Sequence, residues 1–346
     1  MTHRDSLLAL LALAIAPLPA CAQHPPSRAE AAITEGLLKR HVHVIAHDSM
    51  MGRNTPSRGL DLTAGYVAAQ FKRLGLEPGG DSSTYIQRYP LGKPPAASSA
   101  PGPSAITNGF DAYSAPNAVG IVVGSDPVLR DEFIVISAHM DHVGVSGGSG
   151  VVTDSIWNGA DDDASGTAGV LALAEAFALS PPKRSLIFLT VSGEEHGLWG
   201  SAWFAENPPV PIGQIVANLN LDMIGRNWKD SIVVIGLEHS DLGATVAKVG
   251  AAHPELGMTP TTDPWPRENF FFRSDHYNFA RRGVPALFFF NGVHEDYHQP
   301  SDSPDKIDTE KQARVVRLIY HIGLAVANAP VRPKWNPESY KKIVKP

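Results

Sequence analysis

Apolar positions along the chain fall into two repeating spacings, and the switch between them outlines the fold. From Glu30 to His47 the residues Ile33, Leu37, Leu38, Val42, Val44 and Ile45 recur at helical spacing. Leu62 to Leu74 repeats the pattern with Tyr66, Val67 and Phe71 until Gly75 stops it. These predict two helices within an N-terminal segment, 30–80. From Phe133 onward short β-branched runs alternate with helical patterns: Phe133 to Ala138 then Ala164 to Leu179; Leu186 to Ser192 then Leu198 to Glu206; Ile215 to Leu221; Ile232 to Ile235 then Leu242 to Ala252. Pro285 to Phe290 reads as a further strand, and Val315, Ile319, Ile322 and Val326 mark a last helix capped near Asp308. This alternation predicts an α/β fold, a largely parallel sheet with helices on both faces. Sheets of that kind collect their sites at the carboxyl ends of the strands.

Two stretches break the pattern. Between Gly92 and Pro116 the chain turns to Pro, Ala, Ser and Gly, which predicts a surface loop over 92–116 too short to be another domain. At the amino terminus, His3 and Arg4 precede an apolar run from Leu7 to Ala16 that ends in Pro17-Leu18-Pro19-Ala20-Cys21-Ala22. A charged start, a short apolar core and small residues at the end describe a secretory signal peptide, and its roughly ten apolar residues fall short of the ~20 that span a bilayer as a helix. Cleavage after Ala22 releases a soluble chain of residues 23–346, read as one catalytic domain. Leu18-Pro19-Ala20-Cys21 also resembles a bacterial lipobox, with a signal over 1–20 that would leave Cys21 as a lipid anchor. Either route predicts an exported protein, periplasmic or extracellular, with no transmembrane segment.

Composition removes several classes. With 29 Lys and Arg against 35 Asp and Glu, a formal charge of −6, the chain offers no basic stripe for nucleic acid. One cysteine cannot form an intrachain disulfide. That cysteine lies in the signal region, which also removes cysteine catalysis, and no Gly-x-Ser-x-Gly elbow supports a serine hydrolase.

Polar residues cluster where the predicted strands end. His139-Met140-Asp141-His142 closes the first strand of the alternation, Gly159-Ala160-Asp161-Asp162-Asp163-Ala164-Ser165-Gly166 opens a helix, Glu194-Glu195-His196 and Asp222 follow later strands, and His298 lies past Phe288, Phe289 and Phe290. Five element ends thus deliver His, Asp, Glu, Asp and His to one side of the sheet, a mixture of imidazole and carboxylate suited to zinc. One zinc needs fewer ligands; two ions sharing a bridging carboxylate use all five. The aspartate run also fits the opening of a calcium loop, but its twelfth position is Ala172, where a bidentate Glu is required.

These motifs, together with Arg273-Ser274-Asp275-His276 and Tyr297-His298-Gln299-Pro300-Ser301-Asp302, resemble in order and spacing the zinc-dependent exopeptidases of the bacterial leucyl aminopeptidase, glutamate carboxypeptidase and glutaminyl cyclase superfamily, clan MH. Looser similarity runs through Asp48-Ser49-Met50-Met51-Gly52-Arg53 and Gly75-Leu76-Glu77-Pro78. The resemblance implies a three-layer α/β/α sandwich around a mostly parallel mixed sheet, the zinc exopeptidase or phosphorylase/hydrolase-like fold. It implies two zinc ions, one on His139 and Asp222, the other on Glu195 and His298, with Asp162 bridging and a cis peptide following it. Glu194 is the implied general base, Asp141 the supporting partner of His139, Tyr297 the oxyanion donor and Arg273 a substrate-carbonyl contact. Four of the acidic residues, Asp162, Glu194, Glu195 and Asp222, then carry charge that two zinc ions offset.

The expected activity is hydrolysis of the first peptide bond of a peptide with a free amino terminus. A carboxypeptidase or dipeptidase would use the same metals with a cationic pocket, for which Arg226, Arg273, Arg281 and Arg282 are available. A glutaminyl cyclase uses one zinc, and a binding module without catalysis would not need Glu194. His41, His43 and His47 are expected on an exposed helix face, and His142, His276 and His294 in supporting or surface positions. Asp302 and Asp305 are expected to cap a turn or helix.

Overall fold

The computed structural model describes residues 27–92, 106–107, 110–111, 113–145 and 154–345. The signal segment 1–22, the alternative lipoprotein signal with Cys21, and most of the 92–116 loop lie outside the described residues.

Nine strands form the main sheet: β1 Glu77–Pro78, β2 Ile86–Pro90, β3 Ser114–Val122, β4 Phe133–His139, β5 Ser185–Val191, β6 Ile215–Leu221, β7 Ser231–Ile235, β8 Thr259–Thr261 and β9 Ala286–Phe289. They lie in the order β1-β3-β5-β4-β6-β9-β7-β8, with β2 pairing on β3. The central four, β5, β4, β6 and β9, run parallel, whereas β1, β2 and β3 on one side, and β7 against β9, run antiparallel. The sheet is therefore mixed with a parallel centre, as expected.

Alternation along the strands sorts the core into two layers. Ile134, Ile136 and Ala138 of β4 join helices α2 (Glu35–Ile45), α4 (Gly166–Leu179) and α8 (Thr309–Asn328) in one apolar cluster. Val135, Ile187 and Leu189 point to the opposite face and meet Phe204 and Phe279 from α5 (Trp199–Glu206) and α7 (His276–Ala280). A strand buried on both sides has no polar face, which is why β4 and β5 read as continuous apolar runs. The helix Thr309–Asn328 starts where its sequence indicates, the Asp308 side chain accepting the Lys311 N–H at 3.1 Å, but it is not the last: a short helix, Pro337–Ile343, follows it.

The N-terminal helical run is broken. Residues Arg28–Ala31 form a single turn, and a fresh helix begins after Thr34, whose hydroxyl accepts from Leu37 N–H. A side-chain cap competes with continuation of the helix, and here it prevails. The expected loop over 92–116 ends earlier than its composition indicates, because β3 starts at Ser114. Pro116 is tolerated there since it pairs only with Arg88 on β2; β5 begins pairing further along, at Ala118. Of the three N-terminal histidines, His43 and His47 are exposed, but His41 is 1% exposed and its Nδ1 sits 2.6 Å from the Tyr66 hydroxyl. No helix among the described residues is long and apolar enough to cross a membrane.

Candidate metal centre

The parallel strands deliver the candidate residues to one edge. His139 is the last residue of β4, Glu194 and Glu195 follow β5, Asp222 follows β6, and His298 lies beyond β9. Asp162 comes from the distorted turn Ala160–Ser165 that leads into α4, and its peptide bond to Asp163 is cis. The five residues that the resemblance names as metal ligands converge. His139 Nε2 lies 3.2 Å from Asp162 Oδ1 and 3.6 Å from Asp222 Oδ1. His298 Nε2 lies 3.0 Å from Asp162 Oδ2 and 3.1 Å from Glu195 Oε2. Asp162 thus turns one oxygen toward each histidine.

Among the described residues two groups of side chains could hold an ion, with donor atoms within 4.8 Å of one another in each: His139, Asp162 and Asp222, and His142, Asp162, Glu195 and His298. The donor chemistry fits zinc. So do the unmet polar atoms, since Glu195 Oε1 and His298 Nε2 are buried without a hydrogen-bond partner although oppositely charged groups stand close by. Donor atoms gathered at short range but not aimed at each other are oriented for a shared central ion.

Electrostatics point the same way. Burial alone would lower the pKa of His139, but the carboxylates of Glu194, Asp222, Asp141 and Asp162 overcome it and raise it well above the ordinary histidine value. His298 is pushed up to about 10 against its partial burial by Asp162 and Glu195. Asp162 is held well below the carboxylate range: burial opposes this, and the imidazoles of His139, His298 and His142 outweigh it. The cluster demands positive charge, which protons supply until a cation displaces them. Glu194 is raised well above the ordinary glutamate value by burial and by Asp275, Asp222 and Glu195, with His139 pulling the other way.

Supporting contacts fix the donors. Asp222 Oδ2 accepts the Ser274 hydroxyl at 2.9 Å. His139 Nδ1 is 3.3 Å from the main-chain oxygen of Asp141 and 3.6 Å from its carboxylate. The Asp141 carboxylate is drawn aside by Thr55 Oγ1 at 3.0 Å and Glu194 N–H at 3.3 Å, so the main-chain carbonyl is the nearer partner of the ring. Tyr297 and Arg273 line the same cavity as His139, Asp162, Glu194 and Asp222. The Tyr297 ring stacks on His298 at 4.0 Å, and burial with the surrounding carboxylates raises its phenol pKa, keeping it a proton donor. Arg273 is half exposed, 3.5 Å from Glu268 and over the Phe270 ring at 4.8 Å.

Three residues outside the expected ligand and catalytic set contribute to the site. His142 is fully buried beside Glu195. Asp302 caps as expected, but what it caps is the site: its carboxylate accepts the N–H groups of Asp161 at 3.0 Å and Asp162 at 3.2 Å. Arg53, fully buried, donates to the main-chain oxygens of Met140, Ile45, Asn158 and Gly159, tying the His139–His142 loop to the Asp162 turn. Their signals were available in the motifs that hold His142, Asp302 and Arg53, but each acts through main-chain groups or neighbours that a linear pattern does not mark.

The sequence model for Peptidase family M28 matches residues 117–323, a span containing every one of the candidate metal donors. The chain belongs to peptidase family M28. This places it in the zinc exopeptidase superfamily, as the motifs indicated. A probable zinc metalloprotease of Pyrenophora tritici-repentis is 26% identical over 328 residues, which cover 81% of this chain and 63% of that protein. The chain therefore spans 63% of the length of the first curated relatives it matches. Among solved structures, an aminopeptidase from Aneurinibacillus sp. strain AM-1 superposes with a TM-score of 0.63 at 17% identity, covering 89% of this chain and 97% of that one. A zinc aminopeptidase from Bacillus subtilis gives 0.64 at 15% identity, covering 86% and 96%. These two likenesses show a common fold.

Proposed function

We propose that this M28 chain is a co-catalytic di-zinc aminopeptidase that hydrolyses the first peptide bond of peptides with a free amino terminus. The observation that carries the reading is Asp162, whose two carboxylate oxygens face two separate donor sets. One position would be held by His139, Asp222 and Asp162, the other by Glu195, His298 and Asp162. Four carboxylates at the site, Asp162, Glu194, Glu195 and Asp222, match the charge of two dications. When bound, zinc supplies Lewis acidity, polarising a carbonyl and acidifying water.

The chain's own residues account for the rest. Glu194 faces the cavity with a raised proton affinity, suited to take a proton from the attacking water and return it to the leaving amine. Tyr297 presents a protonated phenol to the developing oxyanion. Among the described residues that line the cavity the one cation is Arg273, already close to Glu268. Of the other arginines, Arg226 is paired to Asp296 at 2.9 Å, and Arg281 lies 3.8 Å from Glu206. A cavity whose one lining arginine already stands beside a carboxylate offers little to a substrate's free carboxylate, which weighs against a carboxypeptidase. The second donor set favours a peptidase over a one-zinc cyclase.

The test is turnover of an aminoacyl-anilide panel beside amino-blocked controls, with Glu194→Gln. Unblocked substrates should be cleaved in a zinc-dependent way, and the variant should keep its metal and lose at least ~100-fold in kcat. Cleavage of blocked substrates at equal rates, or full activity in the variant, contradicts the reading.

A further inference from the structure

His142 stands in the metal centre without a role in any of the motifs that mark the site. Its ring is completely buried, and neither nitrogen has a hydrogen-bond partner among the described residues. Yet Nδ1 lies 2.8 Å from Glu195 Oε1 and 3.8 Å from Asp162 Oδ2, and the ring meets that of His298 edge-on at 5.4 Å. An unsatisfied buried imidazole costs free energy, so a ring held there calls for a partner. Two donors bound to one tetrahedral zinc at about 2.0–2.1 Å are separated by roughly 3.3 Å. The imidazole–carboxylate separations bracket that spacing: His142 to Glu195 Oε1 at 2.8 Å and to Asp162 Oδ2 at 3.8 Å, His298 to Asp162 Oδ2 at 3.0 Å and to Glu195 Oε2 at 3.1 Å. The backbone also makes room for the ring: Gly159 has φ +51°, and a side chain there would collide with His142 and with the Asp162 carbonyl.

We propose that His142, through Nδ1, is a further ligand of the metal position formed by Asp162, Glu195 and His298, giving that position four protein donors while the His139–Asp222 position keeps three. The assignment rests on the di-zinc reading above. Four protein donors close a tetrahedral ion, and the three-donor position is then the one with room for substrate oxygen. The alternative is a positioning role, in which His142 donates a hydrogen bond to Glu195 and never touches metal.

Two measurements separate these. His142→Asn places an amide N–H near the Nδ1 position, so it should preserve a positioning role and abolish ligation by imidazole. Loss of a supporting partner costs 10–100-fold in metal affinity; loss of a ligand should exceed ~100-fold at one of the two positions. Chelator competition on the zinc-loaded protein reads this directly, and cobalt substitution should show altered visible absorption from one ion only. Should the variant fail to fold, X-ray absorption of the wild-type zinc protein counts imidazoles without mutation: three shared by two zinc ions are expected, from His139, His142 and His298. Two imidazoles per two zinc ions, or an unchanged affinity and cobalt spectrum in His142→Asn, overturns the assignment and leaves the di-zinc reading intact. A wild-type chain that holds no more than one zinc overturns both.

Discussion

Replacing Arg53 with methionine should destabilise the metal-free chain by ~3–5 kcal/mol, comparable to breaking a buried charge network. The guanidinium is fully buried and meets no carboxylate of the described residues in a direct ion pair; its donors go to main-chain oxygens, at 2.9 Å to Met140, 3.0 Å to Ile45, 2.5 Å to Asn158 and 3.0 Å to Gly159. Methionine fills much of the volume and supplies no donor. The Gly159 carbonyl also accepts the Ala164 N–H, so the cost falls on the others: each acceptor left buried and unpaired costs ~1–3 kcal/mol, and relaxation or water entry recovers part of that. The charge works against this, since burial lowers the Arg53 pKa to about 10, while Asp141, Asp162, Asp302 and Asp163 pull it back up. Removing the cation therefore also leaves those carboxylates less compensated. The assay is urea unfolding of chelator-treated protein, compared at equal slope so that the midpoint shift reports stability. Arg53→Lys should fall between, because a point charge cannot reach all four carbonyls as a planar fork does. A midpoint for Arg53→Met within ~0.5 kcal/mol of the parent would refute the view that this residue binds the two donor loops together.

Other expectations follow from the same geometry. Because His139 and His298 both have raised pKa values and must be neutral to ligate, zinc affinity should rise with pH through neutrality and binding should release protons; calorimetry in buffers of different ionisation enthalpy measures this, and a pH-independent affinity between about 6 and 9 contradicts it. Asp302→Asn should keep the fold and weaken zinc retention by 10–100-fold in chelator competition, since the N–H groups of Asp161 and Asp162 lose a charged acceptor. Gly159→Ala should lower the thermal midpoint by several degrees, because a Cβ there meets the Asp162 carbonyl and the His142 ring; an unchanged midpoint would show that the turn has room.

Much of the architecture was legible because the core strands are apolar on both faces. Ile134 through Ala138 and Leu186 through Val191 could hardly be anything but buried strands, and Asp308 announced the long helix Thr309–Asn328. The edges were not legible. β2 carries polar Gln87 and Arg88, and β3 contains Pro116 beside a Pro- and Ser-rich stretch, so neither shows a clean period of two. At the site, the five expected donors converge because each sits at a strand or helix end that the parallel sheet brings to one edge. The residues that hold those donors were hidden: Arg53 works on main-chain carbonyls, Asp302 on main-chain N–H groups, and His142 reaches Glu195 across 53 residues of chain. Such pairings carry no periodic signature.

The central claim is that Asp162 joins two metal positions, and anomalous scattering from zinc-loaded crystals tests it most directly. The account predicts two zinc peaks ~3.5–4 Å apart on either side of the Asp162 carboxylate, one beside His139 and Asp222 and the other beside Glu195 and His298. A single peak, or a zinc ion that does not contact Asp162, would contradict it.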